Sequence, residues 1–141
     1  MAWLSIALLA AQLYALDLGT IKHEPNLERR SDLALQYANS ALDTAREAYT
    51  AGNIDKTEAA IEEVGSSVDL AYDSLGQTGK DPQRSPKFFK RAEMSTRQLL
   101  RRLDGMMESM SVADRSLIEK VRGRVADIHE NLLKGIMSKR K

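Results

Sequence analysis

The sequence predicts an all-α protein: an antiparallel, up-down-up-down four-helix bundle made of two helical hairpins, following an N-terminal signal peptide. Three observations carry this expectation. Four stretches repeat their apolar residues at spacings of three and four, the period of a helix buried along one side. The turns after the first and third stretches are very short, which folds each pair of helices back on itself. The 141-residue chain has no Cys and only 5% aromatic residues, while Ala, Leu, Glu, Arg and Lys, all good helix formers, are abundant.

Residues 1–15 are expected to be an address rather than a part of the fold. The run from Met1 to Leu16 carries no charge and is mostly apolar, and Asp17 ends it. About 15 helical residues cover ~22 Å, too short for the ~30 Å hydrocarbon core of a bilayer, so the run reads as a secretory signal peptide. Ala15 supplies the small residue before a cut, with Leu13 two places earlier. Residues 16–25 then read as a polar, flexible linker, 26–137 as the four-helix domain and 138–141 as a basic tail.

The first long helix shows Ala34, Ala38, Ala41, Ala45 and Ala48 on one face, flanked by Leu35, Leu42 and Tyr49. Gly52 provides its stop, and Asn53 can cap the helix that follows. Ile54, Ile61, Val64, Val68, Ala71 and Leu75 mark the second helix. The one long loop spans residues 76–84. Ser85 as cap and Pro86 as first helical residue open the third helix. Its stripe runs through Phe88, Phe89, Ala92, Thr96, Leu99, Leu103, Met106 and Met110. Ser111 and Asp114 form a variant capping box ahead of the fourth helix, which carries Leu117, Ile118, Val121, Val125, Ile128, Leu132 and Ile136.

The net charge of +1 conceals two unlike halves. Residues 1–79 hold 5 Lys+Arg against 12 Asp+Glu, and residues 80–141 hold 16 against 8. The acidic centre is the second helix, where Asp55, Glu58, Glu62, Glu63, Asp69 and Asp73 share the outer arc with a single Lys56. The basic centre is the loop and third helix. There Lys87, Lys90, Arg97 and Arg101 fall opposite the apolar stripe, and Lys80 and Arg84 lead in from the loop. This stripe reads either as a solvated face partly neutralised by the second helix, or as a surface for an acidic protein or anionic envelope surface. Phe88 and Phe89 are assigned to the core, so the stripe lacks stacking aromatics and nucleic acid is not an expected partner.

Little in the sequence points to catalysis. Without Cys there are no disulfides, thiolate zinc sites or Cys nucleophiles. The run Gly76-Gln77-Thr78-Gly79-Lys80-Asp81 lacks phosphate-loop spacing and follows no strand. The residue three before His129 is Ala126, so the Glu-x-x-His pairs of di-iron bundles are absent. An alternative reading is a metal- or cofactor-handling bundle. In it, Met106, Met107 and Met110 offer thioethers to a soft ion such as Cu(I), or His129 acts as a ligand. Core packing is the simpler use for those Met residues. The expectation is therefore an exported, non-enzymatic interaction module of the periplasm or extracellular space. It is expected to need no cofactor, to have no transmembrane span when mature, and to be a monomer or weak homo-oligomer.

Overall fold

Asn26 starts the first long helix by placing its side-chain oxygen 3.0 Å from the Arg29 amide, one of the N–H groups a helix leaves unpaired. The computed structural model describes residues 17–138, and these are helical with no strand among them. Helix α1 spans Leu18–Lys22, α2 Leu27–Thr50, α3 Ile54–Gln77, α4 Lys87–Ser109 and α5 Ser116–Met137. A 3₁₀ turn, Val112–Asp114, precedes α5. The expected signal peptide and residues 139–141 lie outside the described residues.

Gly52 closes α2 at φ +77°, the left-handed conformation that an Ala or Leu would resist. Its amide bonds to the Tyr49 carbonyl at 3.0 Å and the Asn53 amide to that of Ala48 at 2.9 Å, so the last carbonyls of α2 are satisfied. Asn53 then turns round and caps α3, accepting from the Lys56 amide at 3.0 Å. Two residues thus end one helix and start the next. The hairpin zips from there: Tyr37 reaches Glu63, and Arg30, further from the turn, reaches Ser74 and Gln77. Because one number rises as the other is followed back towards the turn, α2 and α3 are antiparallel. The fully buried Ala34, Ala38 and Ala45 keep the α2 surface low, and Ile61, Val64 and Val68 of α3 fill the core with them.

The second hairpin follows the same logic. Asp104 pairs with Arg122 at 2.5 Å near its turn, and Glu93 meets His129 further along. Between the hairpins the pattern differs. Asp32 pairs with Arg91 and Asp43 with Arg102, so α2 and α4 advance in the same direction. Likewise α3 and α5 run together, with Asp69 bound to Arg124 and Gly65 facing Val121. Each hairpin thus packs on the other, α2 against α4 and α3 against α5, with a smaller contact between α3 and α4. The loop joining them crosses the end of the molecule. Pro82 packs where a Cβ on Gly135 would come within 3.3 Å, and Gln83 donates to Ser138.

Three local expectations change. Within the expected linker, residues 17–25 are ordered in part: Asp17 caps α1 by accepting from the Thr20 amide at 2.8 Å, and Ile21, 2% exposed, joins the core. An apolar residue one turn into a short helix is enough to anchor it. Pro86 precedes α4 with helical dihedrals, and α4 begins without a side-chain capping bond. Ser111 and Asp114 do not form a capping box: the Ser111 hydroxyl donates to the Asp114 carboxylate at 2.8 Å, and the 3₁₀ turn intervenes before α5.

Candidate interaction face

The inner side of α4 is set by Phe89, Ala92, Thr96, Leu99, Leu103 and Met106, all buried. A helix advances 100° per residue, so Lys87, Lys90, Arg97 and Arg101 must project on the far side, and all four are exposed. Lys80 and Arg84, also exposed, precede them in the loop.

The six cations are not equally available. Lys80 pairs with Glu28 of α2, and Arg84 lies 3.9 Å from Asp81. Arg97 bonds to Glu93 at 2.8 Å, one turn back on its own helix. Lys87 sits over the Phe88 ring at 5.4 Å from its centroid. Lys90 and Arg101 make no ion pair or side-chain hydrogen bond among the described residues. Met94, 55% exposed, stands between these last two on the same arc.

Phe88 departs from its expected place. It is half-buried and packs against the core, with Lys87 and Arg91 both close to its ring. Phe89, 7% exposed, is the core residue of the pair.

Internal neutralisation also comes from a different helix than expected. The cations on the inner flank of α4, Arg91 and Arg102, bind α2 through Asp32, Asp43 and Asn39. Helix α3, the acidic one, answers α5 instead, through Asp69 and Arg124. Charge alone would pair the two most highly charged helices, but packing is decided by which apolar faces meet. No count of charges locates the partner. A weak signal was present: Glu28, Asp32 and Asp43 line one flank of the first helix.

Between α3 and α5 runs a groove of about 520 Å³, which the sequence reading did not single out. Leu117, Val121 and Gly65 form its apolar part, Glu58 and Glu62 stand on the α3 side, and Lys120 and Arg124 on the α5 side. Gly65 is what makes this surface low, since a Cβ there would touch both Val121 methyl groups at 3.5–3.6 Å.

The residues of the alternative reading point inward. Met106 and Met110 are 1% and 3% exposed within the core, and Met107 packs against it. The His129 side chain is 19% exposed, and its Nε2 lies 3.1 Å from Glu93. Burial raises the Glu93 pKa, but hydrogen bonds from Arg97 and His129 outweigh it and hold the carboxyl below its ordinary value. Among the described residues, no three His, Cys, Asp or Glu gather where they could hold a metal ion. No described helix is long and apolar enough to cross a membrane. No known protein family, curated protein or solved structure matches the chain.

Proposed function

We propose that the protein is a non-enzymatic interaction module that presents the outer face of α4 to an acidic or anionic partner. The observation that carries this reading is the division of labour among the α4 cations. Arg91 and Arg102 are consumed by α2, whereas Lys90 and Arg101 are exposed and have no internal partner among the described residues. Exposed charges add little to stability, so their potential is available to something outside the molecule. In this reading residues 1–15 are a signal peptide, the mature chain is an exported up-down-up-down bundle, and no cofactor is required.

The test replaces Lys87, Lys90 and Arg101 with Gln and leaves Arg97 on Glu93. Retention on a carboxylated matrix and on phosphatidylglycerol vesicles is measured against salt. The parent chain is expected to bind and to elute early as salt rises, because the contact is screened. The variant is expected to bind weakly at an unchanged melting temperature. A parent chain that is not retained at low salt defeats the proposal.

A further inference from the structure

We infer that the acidic partner of the α4 face is a second copy of this chain, which offers its α3/α5 groove. This rests on the reading of α4 given above and adds the identity of the partner. The two surfaces are complementary in sign. On α3, Asp55, Glu58 and Glu62 lie within one 60° arc on the exposed side, and none makes an ion pair among the described residues. On α4, Lys90, Met94 and Arg101 lie within about 40° of one another, equally exposed. Met94 is the apolar projection of that face, and Leu117 and Val121 are the apolar lining of the groove. A thioether side chain adapts to such a recess, and Lys90 and Arg101, about 16 Å apart along α4, flank it towards the acidic row of Asp55, Glu58 and Glu62. Of the α5 wall's cations, Arg124 is held by Asp69 and Lys120 remains, and the α4 face ends two turns beyond Arg101 in exposed Glu108, which supplies the opposite sign.

The placement of the two faces fixes the kind of assembly. The paired cations of α4, Arg91 and Arg102, are held by α2, and Asp69 of α3 is held by α5, while Lys90, Arg101, Glu58 and Glu62 make no ion pair among the described residues. A contact of one copy's α4 face with another copy's groove leaves the first copy's groove and the second copy's α4 face unfilled. The contact is heterologous, head to tail, and leads to a ring or a filament. Opposed fields on the two faces would also speed encounter at low salt.

Sedimentation of the full chain tests this across protein concentration and salt. The average mass is expected to rise with concentration at low salt and to return to the monomer at high salt. Glu58→Lys with Glu62→Lys, and separately Lys90→Glu with Arg101→Glu, should each leave a folded monomer. Mixing the two variants should restore association, because each then offers the sign the other lacks. Combining all four substitutions in one chain should restore self-association as well. A parent chain that stays monomeric at low salt while binding phosphatidylglycerol vesicles overturns the self-association and leaves the α4 reading standing. A parent chain that does neither overturns both. Association that survives both pairs of substitutions, or that mixing does not restore, overturns the assigned surfaces.

Discussion

The Tyr49 hydroxyl, at the end of α2, donates to the Asp114 carboxylate at 3.0 Å, 65 residues further along the chain. The same oxygen accepts from the Ser111 amide at 2.9 Å. One side chain of the first hairpin therefore satisfies both partners at the turn of the second. Tyr49→Phe keeps the ring and removes both bonds, so it is expected to cost about 1 kcal/mol in urea unfolding. Ser111→Ala removes only the hydroxyl bond to Asp114 and should cost less. Equal stability of Tyr49→Phe and the parent would show that the turn is held by other contacts.

How far the sequence foretold these features depends on their range. The apolar stripes of the four long helices were readable apart from Ile54, which is 39% exposed at the start of α3, because a 3.6-residue period is local and burial of a whole face enforces it. Gly52 and Asn53 were readable for the same reason: each acts on backbone within five residues of itself. The Tyr49 contact was not, since it depends on how two hairpins dock. Glu63 is a similar case. It looked like one more carboxylate on an outer arc, yet it accepts from the Tyr37 hydroxyl at 2.8 Å. Of the α4 stripe, the outward direction was readable from the helical wheel. Which cations are spent internally was not, because Lys80 and Arg91 are neutralised by residues 52 and 59 positions earlier.

Gly65 tests the close approach of α3 and α5. A methyl group added there would meet the Val121 side chain at ordinary contact distance. Gly65→Ala is therefore expected to be neutral or stabilising by up to about 1 kcal/mol, since Gly is the poorer helix former. Gly65→Leu has no room without parting the helices and should destabilise by about 1–3 kcal/mol. Thermal unfolding of the two variants measures both effects. If Leu is tolerated as well as Ala, the two helices are not in contact at this point.

Tyr37 offers a test at high pH. Burial, then the hydrogen bond to Glu63 and that residue's negative charge, push the phenol up from its ordinary 10.0 to about 12. The sign follows: the fold favours the neutral phenol. The resulting stability is complete below pH 10 and is lost as pH rises from there through about 12. Absorbance of tyrosinate in the folded chain should show a late-titrating component that is missing in Tyr37→Phe. In Glu63→Gln the same component should titrate earlier. A tyrosinate signal that does not change in Tyr37→Phe above pH 10 would contradict the contact.

Glu93 tests the low-pH side, and with it the only buried carboxylate among the described residues. Burial alone would favour the neutral acid. Arg97 on the same helix and His129 on α5 both bind the carboxylate, at 2.8 and 3.1 Å, and lower its pKa overall. A carboxyl depressed in the fold must release this stability on protonation. The contribution is complete above the ordinary Glu value of 4.5 and disappears as pH falls below it towards the lowered folded value. Glu93→Gln keeps the shape but not the charge, and is expected to cost about 1–3 kcal/mol at pH 7, the range for a charged hydrogen bond with partial burial. Other carboxylates also titrate in acid, so the difference between parent and variant is the quantity to follow. Denaturant unfolding at intervals from pH 7 to pH 3 should show that difference shrinking below about 4.5. A gap that stays constant across the range would mean that the charge on Glu93 contributes nothing, and that Arg97 and His129 do not hold it as described.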